Sequence, residues 1–262
     1  KHTSLFEDSK EEYKNCKSCK NLAACKNKMT GFCFLPVLKE GKLNFSYVAC
    51  KYKEKYLNDC KYQKNVTSMD VPREIREAKI KDIYTDDKQR EKVIKWILNY
   101  IKEYKKGKFG KGLYLHGNFG CGKTYLLAAM FNELAKENVR SVITYWPEYL
   151  RSLKSSYSSS SSYEFKDKYN EVKYAKLLLI DDLGAEGVTS WSRDEILGTI
   201  LQYRMQEHLP TFITSNLNLK ELEEHLSVST TNKSERVKAV RIIERIKQLT
   251  IDAEMIGQNN RK

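Results

Sequence analysis

No stretch of the 262 residues approaches the ~18 consecutive apolar residues that a membrane-spanning helix needs, and the lysine-rich start holds no apolar signal core. Both absences point to a cytoplasmic protein with no membrane partner. Carboxylates are scarce relative to bases: 34 Asp and Glu stand against 47 Lys and Arg, a formal net charge of +13. That excess favours an anionic partner, nucleic acid being the commonest, although a lysine-rich surface kept for solubility has the same composition. Beyond residue 60 cysteine is almost absent, with Cys121 standing alone. The other six, Cys16, Cys19, Cys25, Cys33, Cys50 and Cys60, crowd the start. In a chain without a secretion signal such crowding suits a metal better than disulfides, because cytosolic thiols stay reduced.

The first 65 residues carry too few apolar side chains for a large core, so a metal staple suits them. Cys16-x-x-Cys19 offers a tight chelating turn, and tetrahedral Zn²⁺ would need two more ligands from Cys25, Cys33, Cys50 and Cys60. Residues 66–86, with Val71-Pro72 and mixed charge, read as a linker into a domain at 87–262. There the periodicity alternates. Val93, Ile94, Ile97, Leu98 and Ile101 mark a helix; 112–116 (GLYLH) is a buried strand; 124–138 is a helix; 141–146 is a strand, with Pro147 opening the next helix. The serine run at 155–162 predicts a flexible surface loop. Strands at 177–180, 210–217 and 250–256 alternate with helices at 193–207 and 234–248. The expected fold class is therefore α/β, a parallel five-stranded sheet flanked by helices.

Gly117-Asn118-Phe119-Gly120-Cys121-Gly122-Lys123-Thr124 matches GxxxxGK[ST] between a predicted strand and a predicted helix, the context that motif requires. Glycines let backbone amides curl around phosphates, Lys123 reaches the β/γ oxygens, and the Thr124 hydroxyl meets Mg²⁺. These eight residues, with Tyr125 next along the helix and Asp181, are the expected ligands of ATP or ADP with Mg²⁺. Asp181 and Asp182 close an apolar strand where a second phosphate-site element belongs. Asp181 would hold Mg²⁺ and Asp182 would polarise the attacking water, though two such carboxylates can also merely cap a helix. Asn216, at the end of a neighbouring strand, emerges beside the same place, where it can help orient the water.

Residues 117–124, LLLIDDLG at 177–184, PTFITSNL at 210–217 and SERVKAVRIIERIK at 234–247 together resemble the AAA+ ATPases of the DnaC/DnaI helicase-loader group. The resemblance implies a P-loop AAA+ domain whose Mg·ATP site lies between subunits of an ATP-dependent oligomer, with Asn216 as first sensor. It implies an arginine finger on the last long helix. Arg241 and Arg245 are the candidates, with Ile242, Ile243 and Ile246 turned to the core, and Arg245 fits the family position better. Arg261 stands where a second sensor belongs. An Asp rather than Glu at 182, with the expectation that the helical lid of larger members is absent, implies slow, regulatory hydrolysis to ADP and phosphate. The N-terminal region is similar to the zinc-binding domain of DnaI-type members, which places Zn²⁺ on Cys16, Cys19, Cys33 and Cys50 and leaves Cys25 and Cys60 as buried thiols. The implied role is loading of the replicative hexameric DNA helicase in primosome assembly, with the N-terminal module binding the helicase. Single-stranded DNA would meet Arg151 and Lys154, while Tyr145, Trp146 and Tyr149 either stack on bases or pack inside. Transposition helper ATPases of the IstB type have a similar P-loop domain, but the cysteine module argues against that alternative.

Overall fold

Two units make up the chain, Lys1–Tyr62 and Gln63–Lys262. The computed structural model describes residues 3–39, 41–69, 71–83, 88–158, 162–227 and 233–259. The first unit sets helix α1 (Thr3–Ser18) on an antiparallel hairpin, β1 (Phe32–Lys39) and β2 (Lys42–Ala49), followed by helix α2 (Lys51–Gln63). Its packing is aromatic: Phe34 stacks on Phe45 at 5.4 Å, and Phe6 meets Phe45 edge-on at 4.9 Å. Glu12, buried on α1, accepts the Phe34 backbone N–H at 2.7 Å and so fastens helix to strand.

The second unit is a wholly parallel sheet of six strands in the order β3-β5-β6-β7-β4-β8. These are β3 (Val66–Met69), β4 (Gly112–His116), β5 (Ser141–Tyr145), β6 (Leu177–Asp181), β7 (Thr211–Ser215) and β8 (Thr250–Glu254). The expectation of five strands is corrected by β3, which comes from the segment read as linker. Val66 pairs with Ser141, Val71 and Ala78 are buried in the core, and Asn132 donates to the carbonyls of Arg76 and Ala78. Those contacts tie residues 66–78, including the short helix α3 (Arg73–Arg76), to the sheet unit.

Alternate strand residues serve two cores, as a sheet covered on both faces requires. Leu113 and Leu115 of β4 face helices α4 (Lys88–Lys105) and α5 (Lys123–Ala135). Tyr114 between them faces α6 (Trp146–Ser158), α7 (Ser162–Tyr174), α8 (Gly198–Gln206), α9 (Leu219–Leu226) and α10 (Lys233–Leu249). A π-helical stretch, Trp191–Leu197, precedes α8 where one continuous helix was expected, and it carries the buried Arg193. The serine run is also corrected over 155–158, which extend α6. Ser155 and Ser156 donate their hydroxyls back to the Ser152 carbonyl at 2.9 Å, so they ride on the helix rather than break it. Residues 159–161 lie outside the described residues. Among the described residues no helix is long and apolar enough to cross a membrane.

Candidate nucleotide-binding site

Strand β4 delivers the chain to the carboxyl edge of the sheet, and residues 117–122 curl there before α5 begins. Gly117 and Gly120 adopt φ of +142° and +72°. A Cβ on Gly117 would fall 2.0 Å from the Met255 carbonyl oxygen, and one on Gly120 would fall 1.9 Å from Asn259 Oδ1. At Gly117 glycine is therefore required twice over, by backbone conformation and by close approach of the backbone after β8, while at Gly120 the positive φ alone requires it, since the Asn259 side chain can swing aside. Helix α5 starts at Lys123 with no side-chain cap on Gly122, so its first-turn N–H groups are left for a ligand at the positive end of the helix dipole. The buried Lys123 ammonium donates to the carbonyls of Gly117 and Asn118, each at 2.9 Å, and to Asn216 Oδ1 at 2.8 Å.

Neighbouring strands supply the rest. Asp181 ends β6 with its Oδ1 accepting the hydroxyls of Thr124 and Thr214, both at 2.6 Å. Burial pushes its carboxyl above the ordinary range, and the two hydroxyls oppose that shift. Asp182 turns into the left-handed region at φ +59°, uncommon for a residue with a side chain, and its N–H donates to Thr214 Oγ1 at 2.9 Å. Asn216, just past β7, donates Nδ2 to Asp182 Oδ1 at 2.9 Å while accepting from Lys123. Lys123, Thr124, Asp181, Asp182 and Asn216 thus form one hydrogen-bonded constellation across three parallel strands. Its oxygens are hard donors next to an anion cradle, which fits Mg²⁺ held with a polyphosphate. The soft Cys121 thiol donates to the Asn118 and Met255 carbonyls, and its sulfur accepts a long contact from the Lys123 ammonium at 3.9 Å.

A sequence profile of the AFG1-like ATPases matches residues 47–249. The chain is 38% identical over 251 residues to the replicative helicase loader DnaI of Bacillus subtilis (strain 168), spanning 96% of this chain and 80% of that protein. It belongs to the DnaI family of AAA+ ATPases. A crystal structure of DnaI matches with a TM-score of 0.65 and 46% identity, covering 77% of this chain and 100% of that one. The crystal structure of the DnaC helicase loader shares the fold, with a TM-score of 0.54 and 21% identity over 70% of this chain and 99% of that one.

The remaining expected site residues of this DnaI-type chain make other contacts or lie outside the described residues. Asn118 spends its side chain on the segment after β8, donating to Gly257 O at 2.7 Å and accepting Gly257 N–H at 3.0 Å. Phe119 is exposed, and the Tyr125 hydroxyl accepts the Lys79 N–H at 3.4 Å. Arg245 donates to the Gly198 carbonyl at 2.8 Å, placing it against α8 within its own chain, while Arg241 is exposed. Arg261 lies outside the described residues. Trp146 and Tyr149 are buried in the core, so of the two alternatives they pack inside and do not stack on bases. Arg151 and Lys154 are exposed on α6, Arg151 pairing with Glu148 at 2.6 Å. Two participants were missed. Thr214 bridges the two aspartates, and Arg90 donates to the Cys121 carbonyl at 3.0 Å. Threonine in a strand is commonplace, and nothing near Arg90 in the sequence signals its contact.

Among the cysteines, Cys33 is buried and hydrogen-bonded to Cys16; burial first, then that neighbour, pushes its thiol up to about 12. Asn27 Nδ2 donates to Cys16 Sγ at 3.2 Å, and Cys50 N–H donates to Gly31 O at 2.8 Å. Cys19 Sγ donates to Asn21 O at 3.1 Å. Cys25 is half-buried rather than buried, its sulfur accepting the Gly31 N–H at 3.3 Å, and the Cys60 side chain lies outside the described residues. Among the described residues no group of three or more His, Cys, Asp or Glu is arranged to hold a metal ion.

Proposed function

We propose that the chain is an ATP-dependent loader of the replicative hexameric DNA helicase in primosome assembly, with slow ATP hydrolysis serving as a switch. The observation that carries the nucleotide half is the Lys123–Asn216–Asp182 bridge beside the Thr124–Asp181 bond. Likeness to DnaI supports the loading half. In this reading the N–H groups of residues 120–124 receive the phosphates, and Lys123 exchanges its two carbonyl partners for phosphate oxygens. Thr124 and Asp181 would hold Mg²⁺, which neutralises phosphate charge when bound. Asp182, aimed by Asn216, accepts a proton from the water whose oxygen bonds to the γ-phosphorus as the bond to the β–γ bridging oxygen breaks, yielding ADP and phosphate.

Arg245 of a neighbouring copy, flanked by Arg241, is proposed to leave the Gly198 carbonyl and meet the γ-phosphate in an ATP-dependent oligomer, with Arg261 as a second sensor. Arg151 and Lys154 are proposed contacts for single-stranded DNA. The first unit is proposed to bind the helicase and to hold Zn²⁺ through Cys16, Cys19, Cys33 and Cys50. The Cys16-x-x-Cys19 turn and the crowding of six cysteines into the first 60 residues support a metal staple in this unit. Zinc would there crosslink the end of α1, strand β1 and the start of α2. The test is Lys123→Ala, which is expected to abolish binding of a fluorescent ATP analogue with Mg²⁺ while capture of the helicase hexamer survives. Retained ATP affinity in that variant overturns the site.

A further inference from the structure

Among the buried cations that the reading above leaves unused, one lies against the phosphate loop. Arg90, in the first turn of α4, is 8% exposed, and its Nε is buried without a hydrogen-bond partner. Among the described residues it forms no ion pair; its recorded bond is from Nη1 to the Cys121 carbonyl at 3.0 Å. A guanidinium largely withdrawn from water is costly to keep, and its bond to the loop carbonyl is where that cost can be offset. A Cβ on Gly122 would stand 3.1 Å from Arg90 Nη2 and 3.3 Å from Nη1, so the cation lies against the Cys121–Gly122 peptide.

We propose that Arg90 is a positioning residue of the phosphate loop, fixing the Cys121–Gly122 peptide so that the Gly122 N–H faces the bound polyphosphate. The peptide is planar and trans, so its C=O and N–H point in opposite directions. Holding the carbonyl on the α4 side sends the amide proton to the other side. Gly122 sits at φ +91° and has no Cβ to restrain it, so without an anchor this peptide is free to rotate and lose its aim. The nearby positive charge also strengthens the amide as a donor to an anion. The inference rests on the phosphate-loop reading and adds to it a residue that touches no part of the nucleotide.

The experiment measures ATP, ADP and adenosine affinities with Mg²⁺ for the full chain and for Arg90→Met and Arg90→Lys, alongside the melting temperature of each nucleotide-free protein. Arg90→Met is expected to weaken ATP and ADP about tenfold or more, the scale of one charge-assisted hydrogen bond, and to leave adenosine unchanged. Arg90→Lys, which keeps a charged donor, is expected to recover most of that loss. Equal losses for adenosine and ATP, or a Lys variant as weak as Met, overturn the proposal. A spectroscopic readout needs no variant: the Gly122 amide proton of the unaltered chain should move downfield as ATP is titrated in, and an unmoved signal at saturating ATP overturns the proposal. A chain that binds no nucleotide at all sinks the site itself, whereas normal ATP affinity in Arg90→Met sinks this inference alone.

Discussion

Asn216 offers the sharpest perturbation, because its carboxamide makes two bonds with separable consequences. Its oxygen accepts from the Lys123 ammonium at 2.8 Å and its nitrogen donates to the Asp182 carboxylate at 2.9 Å. A hydrogen bond to a charged group contributes roughly 1.5–3 kcal/mol. Lys123 keeps its Gly117 and Asn118 partners when Asn216 is shortened, so the loop stays furnished and ATP affinity should change by less than about threefold. Asp182 loses the donor that aims it, and at about 1.4 kcal/mol per factor of ten, turnover should fall roughly ten- to a hundredfold in Asn216→Ala. Asn216→Asp divides the two effects: it still accepts from Lys123 but sets a second carboxylate against Asp182, so it should bind ATP normally and hydrolyse it no faster than the alanine variant. Phosphate release at saturating ATP and titration of a fluorescent nucleotide read the two quantities. An unchanged turnover in both variants, or an ATP affinity that collapses as in Lys123→Ala, would refute the assignment of Asn216 to the water side of the site.

Arg193, fully buried, holds Asp194 at 2.7 Å, Glu235 at 2.8 Å and the Leu226 carbonyl at 3.0 Å. Arg193→Met leaves Asp194 and Glu235 with Lys238 alone, at 3.3 and 2.9 Å, and removes the donor to the Leu226 carbonyl; the lost carbonyl bond should cost about 1.5 kcal/mol, a fall of roughly 3–6 °C in Tm for a unit of this size. Because the guanidinium holds the Asp194 carboxyl below its usual range, the ion pair's own stabilisation is present above pH ~4 and disappears as the pH falls through the depressed value. The difference in Tm between parent and variant should therefore shrink from pH 7 toward pH 3, and a constant difference counts against the ion pair as a contributor. The zinc assignment predicts one equivalent of Zn²⁺ per chain by metal analysis, lost in Cys33→Ser and Cys50→Ser and kept in Cys25→Ser. Stoichiometric zinc in the Cys33 variant would remove that ligand set.

The phosphate loop, the paired aspartates and Asn216 were legible because each sits at the end of a short apolar run whose flanking glycines or polar residues mark where a strand stops. Parallel pairing then places all three ends on one edge. Strand β3 was not legible: Val66, Thr67, Ser68 and Met69 are few, half polar and half-buried at the sheet's margin, and their partner at Ser141 is distant in sequence. The fates of Trp146 and Tyr149 depend on which face of α6 meets the sheet, which aromatic spacing alone does not decide. Arg90 was invisible for a different reason. It stands among charged neighbours in KQREK, and only the folded chain lays one of those cations against a loop peptide.

The segment past β8 has a further bearing on what kind of object the pocket is. Met255, Gly257 and Asn259 wall the outside of the glycine turn, while α4 braces it from earlier in the chain. The grip is therefore no portable cassette: a fragment such as 112–135, transplanted onto a foreign scaffold, would arrive without its retaining wall and its brace. Engineers seeking a minimal glycine-loop module from this chain would have to carry both ends of the domain along.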